Sequence, residues 1–312
     1  MPRAKAPKRK RSPTPERATS SAAANQAKKL KLLEAHSIES PFPDFNRPTP
    51  EEAQEVYDVL AREHPNLAPA GPSAENDAAG TCGKVPNVLE SLIGTILSQN
   101  TSSKNSTAAK RNLDAKFGRN NFAAIARAPR ADVVDALRTG GLANKKAEVI
   151  QRVLADVHAR HGSYSLQHLA GAGADAPPAA DADAMRELVS YGGVGPKTAS
   201  CVLLFCLGRA SFPVDTHVFR LARLLGWVPA RADRVAAQAH LDLRVPDALK
   251  YGLHVLMVGH GRRCAGCRGR GDCPLKDWMK TRKGLEEGQL EAMSVKAEED
   301  AEETKDEVNV ES

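Results

Sequence analysis

Apolar residues recur at helical spacing through most of the middle of the chain. The i, i+3, i+4, i+7, i+8 spacing of one buried helix face is followed by Leu89, Leu92, Ile93, Ile96 and Leu97. The same kind of spacing recurs in two further sets: Val149, Ile150, Val153, Leu154 and Val157, and Val218, Leu221, Leu224 and Leu225. No segment alternates apolar and polar residues as a half-buried strand does. The pattern therefore predicts an all-α fold, with a helical domain over residues 45–283 and a loop over residues 170–183.

The two ends of the chain have the composition of disordered tails. Residues 1–44 are rich in Pro, Ala, Ser and basic side chains, and residues 284–312 are strongly acidic, so neither segment can bury a core. The run Lys8-Arg9-Lys10-Arg11 predicts a nuclear-import signal, with non-specific attraction to DNA as the alternative. We therefore expect a protein of the nucleus, with an additional mitochondrial pool left open, and a solubilising role for the acidic end.

The charge of the middle segment indicates its partner. The whole chain carries +6, residues 1–44 carry +6 and residues 284–312 carry −9, which leaves +9 for the segment between the tails. A basic folded domain favours a polyanion, most often nucleic acid. The sequence has no apolar run long enough for a membrane span and no signal-peptide core, and its six cysteines do not suggest a disulfide framework. We expect a soluble intracellular protein that does not bind membranes.

The segment from Leu188 to Leu203 has the pattern of two helices joined by a tight turn. Gly193 and Gly195 form the turn, and Pro196 is suited to the first turn of the second helix. Such a helix-hairpin-helix brings backbone N–H groups at a helix N-terminus to a phosphate and reads no base sequence. An ordinary helix connection is the alternative, because Gly-x-Gly turns are common. The segment predicts a DNA-backbone contact that involves Gly193, Gly195 and Thr198.

Lys197 and Asp215 have the chemistry to act on a nucleotide. Lys197 follows the glycine turn, where the positive helix end and partial burial disfavour the ammonium form and favour the neutral amine of a nucleophile. Asp215 lies between a loop and the next apolar helix, and a carboxylate there can stabilise the positive charge that builds on a sugar as its N-glycosidic bond breaks. The alternatives are a phosphate contact for Lys197 and a helix N-cap for Asp215, and Asp215 can serve both purposes.

From Leu188 to Arg220 the sequence resembles the signature of endonuclease III-type DNA glycosylases of the helix-hairpin-helix (HhH-GPD) superfamily, with its hairpin, Gly/Pro-rich loop and catalytic Asp. The resemblance extends over residues 45–280. Ser98-Gln99-Asn100-Thr101 is similar to the family segment that fills the place of a displaced base, and Gly141-Leu142-Ala143 begins a stretch similar to its second DNA-inserting loop. The resemblance implies that Gln99 and Leu142 enter the duplex, with a core position as the alternative for Leu142.

The resemblance also implies a fold and a reaction. Two helical lobes would place the hairpin and Asp215 at a DNA-binding cleft between them, and bent double-stranded DNA would present a damaged nucleotide rotated out of the stack. Lys197 would attack C1′ as the base departs, and elimination from the resulting imine would nick the strand. The implied enzyme is a monomer that acts on an oxidised pyrimidine or an abasic site. Residues 225–229 resemble the demethylating branch, which leaves the identity of the base open.

The family holds a [4Fe–4S] cluster with cysteines spaced C-x6-C-x2-C-x5-C, and this chain has an incomplete set. Cys264, Cys267 and Cys273 reproduce the last three positions, but Met257 stands at the first. If Cys267 and Cys273 begin the set instead, the next position falls near Lys276. Thiolate clusters normally need four protein ligands. The sequence therefore makes a cluster doubtful and favours a degenerate site.

A fourth ligand and a metal-free role are the alternatives at this site. His260, which lies in a stretch similar to the one leading into the family's cluster ligands, or an outside group can complete a site for iron or zinc. Without a metal, Arg262 and the neighbouring arginines can still contact phosphates.

Three hypotheses about function follow. The first is a base-excision repair DNA glycosylase with abasic-site (AP) lyase activity. The second is a helix-hairpin-helix module that binds DNA without catalysis, which the incomplete cysteine set supports and the presence of Lys197 and Asp215 opposes. The third is a zinc-organised regulatory protein, which would require a fourth ligand.

Overall fold

The computed structural model describes residues 38–67, 86–171 and 178–283, with a few positions between 24 and 35. Within these ranges the chain forms helices and no strand, so the predicted all-α fold is confirmed. The chain divides into two compact units. Of the described residues from 38 onward, the first unit contains 38–43, 86–171, 178–213 and 233–243, and the second contains 44–67, 214–232 and 244–283.

The first unit is built around a helix that is buried on all sides. This helix, α2 (Val88–Ser98), is buried from its first residue to Leu97 because apolar or small residues occupy most of its circumference. Its one acidic side chain, Glu90, is buried with Lys110 and Arg119 as ion-pair partners. The helix packs against three α-helices and a short 3-10 helix (Gln167–Ala170) of the same unit. The helices of this unit, apart from α2, are α3 (Ser103–Phe117), α4 (Phe122–Arg127), α5 (Arg130–Leu137), α6 (Ala143–His161), α7 (Asp181–Ser190), α8 (Pro196–Phe205) and α10 (Arg234–Arg244, whose last residue belongs to the second unit). The predicted apolar faces of α2 and α6 form the core of this unit.

The second unit is centred on α11 (Asp247–Arg263), which packs against α1 (Pro50–Glu63) and α9 (Thr216–Leu224). A short helical stretch over residues 274–283 follows. Helix α1 begins at a capping box, in which the Thr49 and Glu52 side chains each accept a hydrogen bond from the other's backbone N–H. Helices α9 and α11 approach closely because Gly261 has no side chain: a Cβ there would lie 2.8 Å from the Cβ of His217.

Two predicted boundaries are wrong. Ser40 Oγ hydrogen bonds His240 Nδ1 (2.6 Å), and Phe42 packs edge-on against the same ring, so ordered chain begins before the predicted tail boundary at residue 44. The predicted loop over residues 170–183 extends too far, because Asp181 starts α7; residues 172–177 of the predicted loop lie outside the described residues. Acidic residues in a first turn interact favourably with the positive helix end, and this effect outweighs the loop-like composition.

Other predictions on the chain ends lie largely outside the described residues. These include the import signal at residues 8–11 and the acidic tail at residues 284–312. Within the described ranges, no helix combines the length and the apolar character that a membrane span would need. Cys201 is buried within α8, whereas Cys206, just past the end of α8, is only half-buried.

Candidate functional site

The predicted hairpin joins α7 to α8 in the first unit. Helix α7 ends at Ser190, the Val194 N–H donates to the Tyr191 carbonyl (3.0 Å), and α8 begins at Pro196 with Gly195 as its N-cap. Gly193 has a φ of +95°, and a Cβ there would lie 2.7 Å from both methyl groups of Val149 on α6. The turn therefore requires glycine at residue 193 both for its backbone conformation and for its contact with α6.

Gly195 has a different role from Gly193. Its φ of −99° is accessible to any residue, and a Cβ added there would meet no atom within 4 Å. The absence of a side chain leaves the backbone at the N-terminus of α8 open on this side. A phosphate can approach such a surface more closely than it can approach a position that carries a side chain.

Lys197 and Thr198 occupy the first turn of α8. Lys197 is half-buried, and Thr198 is buried with 4% of its surface exposed. Gln99, the residue that ends α2, donates a hydrogen bond from Nε2 to Thr198 Oγ1 (3.0 Å). Gln99 and Thr198, two residues predicted separately to contact DNA, are therefore bonded to each other next to Lys197.

Leu142 is exposed at the start of α6. Its backbone lies in the left-handed region (φ 51°, ψ 31°), and 54% of its surface is accessible. Left-handed backbone costs a residue other than glycine roughly 1–2 kcal/mol, and the exposed apolar side chain gains little from the protein interior. The alternative of a core leucine is therefore wrong, and the exposed position supports the proposed insertion into DNA.

Lys146, which lies four residues after Leu142, has a role that the sequence pattern did not predict. Its side chain is 3% exposed, and its Nζ donates to the carbonyl oxygens of Leu97 (2.7 Å) and Gly140 (2.8 Å) and to Thr101 Oγ1. Burial lowers the pKa of this amine. Thus one buried lysine joins the segment that contains Gln99 to the segment that precedes Leu142. A lysine on the apolar face of α6, in phase with Ile150 and Val153, was the available signal.

Asp215 caps α9 in the second unit. Its Oδ1 accepts hydrogen bonds from the backbone N–H groups of His217 and Val218, both at 2.8 Å. The cap therefore engages one of the two carboxylate oxygens, and the half-buried side chain retains a second oxygen for other interactions. The predicted N-cap is confirmed as a structural role.

The segment 225–229, which resembles the demethylating branch, also has a structural role. Gly226 ends α9 with a φ of +67°, Trp227 is fully buried, and the Trp227 N–H donates to the Ala222 carbonyl (2.8 Å). These contacts form a helix C-terminal cap with its apolar anchor. The segment therefore has a packing role at the end of α9, and the identity of the base stays open.

Three cysteines and one histidine converge at the end of α11. The sulfurs of Cys267 and Cys273 lie 3.3 Å apart, and His260 Nε2 lies 2.9 Å from the first and 3.6 Å from the second. Together with the sulfur of Cys264, these ligand atoms all lie within 4.8 Å of one another. We call this group the Cys3His site. His260 is the fourth potential ligand that the cysteine spacing alone did not provide.

His260 is positioned by a second histidine. Its Nδ1 is 2.8 Å from Nε2 of His64, just past the end of α1. Burial, with smaller contributions from His64 and Arg220, lowers the pKa of His260 to about 4. The ring is therefore neutral near pH 7, and a tautomer with the proton on Nδ1 leaves the Nε2 lone pair directed at the sulfurs.

These residues do not fit the [4Fe–4S] cluster that the family resemblance implies. A cubane cluster binds each protein ligand to a different iron at a separate corner, whereas the sulfurs of Cys267 and Cys273 are almost in contact. Met257, which stands at the family's first cysteine position, is fully buried and has no thiolate. The described residues supply three thiols and one imidazole at the spacing of a single ion.

Arginines surround the Cys3His site, with two separate roles. Arg220 of α9 donates to the carbonyl oxygens of Gly261 (2.9 Å) and Cys267 (3.0 Å), so it fastens the cysteine loop to α9. Arg262, the predicted phosphate contact, is exposed on the last turn of α11, as are Arg268 and Arg270 beyond it. Exposed guanidinium groups at this loop are suited to phosphate binding.

A second group that could hold a metal lies in the first unit. His161, His168 and Glu187 place a ligand atom each within the same 4.8 Å limit. Each oxygen of the Glu187 carboxylate is hydrogen bonded to one of the imidazoles, at 2.9 Å for His161 and 2.8 Å for His168. Within the first unit these contacts connect the end of α6 to α7.

The helical fold and its glycine hairpin define a helix-hairpin-helix protein, and comparisons with known proteins identify the family. A family model described as "HhH-GPD superfamily base excision DNA repair protein" matches residues 93–246. A protein of Arabidopsis thaliana provisionally named a DNA glycosylase is 36% identical over 247 residues, which cover 73% of this chain and 81% of the relative. The chain therefore belongs to the HhH-GPD superfamily of base excision DNA repair proteins.

Two further comparisons indicate the branch of this family. Endonuclease III of Sulfolobus acidocaldarius is 29% identical over 204 residues, which cover 64% of this chain and 84% of that protein. A solved non-covalent endonuclease III–DNA complex has a similar fold, with a TM-score of 0.57, 21% identity, and coverage of 75% of this chain and 98% of that chain. The protein is thus an endonuclease III-like member of the family.

Proposed function

We propose that the protein is a bifunctional DNA glycosylase and AP lyase that removes an oxidised pyrimidine from duplex DNA. The observation that carries this proposal is the position of Lys197, which is half-buried in the first turn of α8, two residues after the open backbone of Gly195. A hairpin that holds phosphate at this helix end would bring the sugar of the bound nucleotide near the lysine amine. The choice of an oxidised pyrimidine follows from the resemblance of residues 188–220 to the signature of endonuclease III-type glycosylases.

In the proposed reaction, the neutral Lys197 amine attacks C1′ and the bond from C1′ to the base breaks, so the departing base takes the electron pair and a proton. The Asp215 oxygen that the helix cap does not engage stabilises the positive charge on the sugar. Opening of the sugar gives an imine between Lys197 and C1′. Loss of a proton from C2′ then expels the 3′ phosphate, and water releases the lysine. No step involves the cysteines.

Borohydride trapping tests this proposal. The wild type is incubated with a duplex that contains either an oxidised pyrimidine or an abasic site, because borohydride reduces the imine to a stable adduct. We expect an adduct with the wild type and none with Lys197→Ala, while Lys104→Ala, which removes an exposed lysine on α3, retains it. An adduct that persists in Lys197→Ala would contradict the role of the lysine.

The same experiment separates the enzyme from a binding module. Absence of an adduct on every duplex, with DNA binding intact, would reject the lyase and favour a helix-hairpin-helix module without catalysis. Parallel duplexes with an oxidised purine, a mismatched base or a methylated cytosine test the choice of base. Faster release from any of these than from an oxidised pyrimidine would overturn the proposed substrate while leaving the lysine chemistry in place.

The remaining proposals concern the setting of the enzyme. We propose a monomer that acts in the nucleus, directed there by the basic run at residues 8–11, with Gln99, Leu142 and Arg262 among its DNA contacts. A fusion of residues 1–44 to a fluorescent protein that stays outside the nucleus would contradict the import signal.

A further inference from the structure

We propose that the Cys3His site binds one zinc ion, at the place where the family resemblance implies an iron–sulfur cluster. This inference is independent of the proposed lyase activity, since it concerns the second unit alone and is tested by metal content. Three thiolates and one neutral imidazole form one of the ligand sets typical of structural zinc. The spacing H-x3-C-x2-C-x5-C delivers all four ligands from one short segment.

The distances favour a single ion. Around a tetrahedral zinc with Zn–S of about 2.3 Å and Zn–N of about 2.0–2.1 Å, two sulfurs are about 3.8 Å apart and a sulfur and a nitrogen about 3.5 Å apart. The corresponding distances are 3.3 Å between Cys267 and Cys273, and 2.9 and 3.6 Å from His260 Nε2 to these sulfurs. Shifts of a few tenths of an ångström would bring these three ligands to the geometry of one ion.

The loop is shaped to bring its cysteines together. A Cβ at Gly266 would lie 1.9 Å from the carbonyl oxygen of Asp272 and 2.9 Å from the Cβ of Cys273. Glycine at this position therefore allows the 272–273 segment to close onto the turn that carries Cys267. The Cys267 N–H also donates to the Cys264 sulfur (3.3 Å), a bond that stabilises a thiolate at this position.

The surrounding contacts orient the ligands from outside. The hydrogen bond between His64 and His260 fixes which imidazole nitrogen faces the sulfurs, as the partners of metal-bound histidines do in general. Arg220 holds the carbonyl groups on both sides of the cysteine turn. Because Met257 offers no thiolate and His260 fills the fourth position, the site is complete for one ion and short of one cysteine for a cluster.

Metal analysis of the full-length protein tests the assignment. The protein is produced with both zinc and iron in the medium, purified without oxygen, and measured for zinc, iron and acid-labile sulfide. We expect one zinc per chain, neither iron nor sulfide, and no broad visible absorbance of an iron–sulfur cluster. Iron in place of zinc, with or without sulfide, would overturn the assignment, and so would a metal-free protein with a Cys267–Cys273 disulfide.

Variants test the ligands individually. We expect Cys273→Ser and His260→Ala to lose zinc, and His260→Cys, which restores a four-ligand set, to keep it. Cys206→Ser, which removes a half-buried thiol elsewhere, is the matched control and should keep one zinc per chain. If the folded His260→Ala protein still bound one zinc per chain, His260 would not be a ligand of the site.

A milder variant keeps the inference testable if the ligand variants do not fold. His64→Ala leaves every ligand in place and removes only the partner of His260. We expect zinc affinity, measured by competition with a chromogenic chelator, to fall about 10- to 100-fold. Unchanged affinity would show that His64 does not orient a bound ligand and would contradict the proposed site.

Discussion

Gln99 Nε2 donates a hydrogen bond to Thr198 Oγ1 across 3.0 Å, so the end of α2 is held against the first turn of α8. Thr198→Val retains the shape of the buried side chain and removes the acceptor. We expect excision from duplex DNA to slow roughly two- to tenfold, because a hydrogen bond of about 0.5–1.5 kcal/mol no longer orients Gln99. Single-turnover rates give this comparison. Thr95→Val, a buried substitution within α2, is the control, and an equal loss in both variants would reject the positional role.

Lys146 should contribute to stability more than any exposed lysine of α6. Replacing it with methionine removes the lysine donor from the Leu97 carbonyl, the Thr101 hydroxyl and the Gly140 carbonyl, of which the last keeps its hydrogen bond from Thr101. We expect the free energy of unfolding to fall on the order of 3 kcal/mol. Urea denaturation measures the change. Lys145→Met, at the exposed neighbouring position, should stay within about 0.5 kcal/mol of the wild type. Equal losses in both variants would mean that the buried contacts contribute little.

Leu142 should separate stability from activity. Leu142→Gly relieves the left-handed backbone, so we expect a protein as stable as the wild type or more stable by up to about 1 kcal/mol. Without the apolar side chain, excision from duplex DNA should nevertheless slow at least tenfold. Leu142→Ala keeps the strained backbone and should lose activity without the gain in stability. Thermal unfolding and single-turnover excision together test both expectations. Full activity in Leu142→Gly would show that excision does not require insertion of Leu142 into the duplex.

Asp215 should show two roles that different substitutions separate. Asparagine caps a helix about as well as aspartate, so Asp215→Asn should keep the stability of the wild type and lose excision. Alanine removes the cap as well, so we expect the free energy of unfolding of Asp215→Ala to be about 1 kcal/mol lower than that of the wild type. Thermal unfolding and borohydride trapping on the two variants test this. If Asp215→Asn remained active in excision, Asp215 would have no role beyond capping the helix.

Glu187 should make folding stability depend on acid pH. Burial raises the pKa of this carboxyl, but the hydrogen bonds from His168 and Tyr191, the charge of His168 and the hydrogen bond from His161 outweigh it, so the pKa lies below its ordinary value of 4.5. A lowered native pKa stabilises the fold above pH 4.5, and this stabilisation is lost as the pH falls through the native value.

The stability gap between the wild type and Glu187→Gln should therefore be present above pH 4.5 and narrow as the pH falls below it. Denaturant unfolding at several pH values measures it. Glu148→Gln, which removes an exposed ion pair with Arg152, is the control and should change the free energy of unfolding by less than about 1 kcal/mol. A gap that stays constant down to the lowest pH would show that the Glu187 carboxylate is not stabilised by its partners.

Local patterns predicted the features that depend on neighbouring residues. The buried faces of α2 and α6, the glycine turn with Pro196 at the start of α8, and the cap at Asp215 all follow from spacing within one or two helical turns. The bond from Gln99 to Thr198 and the contact of His64 with His260 join residues far apart in the sequence. Periodicity carries no information about such pairs.

The misjudged positions show which effects the patterns did not weigh. The burial of Lys146 was missed because lysine is rarely buried without partners, and its partners here are backbone carbonyls that no sequence pattern displays. The predicted N-terminal tail is too long because it includes Ser40 and Phe42, which contact His240, about two hundred residues away in the sequence. In each case a contact made by the folded chain outweighed local composition.

The left-handed backbone at Leu142 has a consequence for how fast the protein moves along DNA, if Leu142 inserts into the duplex as proposed. Its side chain is already presented to solvent before it meets the duplex, and a protein that inserts Leu142 in this way would test successive base pairs during each encounter with undamaged DNA. The same exposed leucine would add friction to movement along the helix. Residence time on undamaged DNA, rather than the rate of bond breakage, is then the property that this single backbone conformation sets.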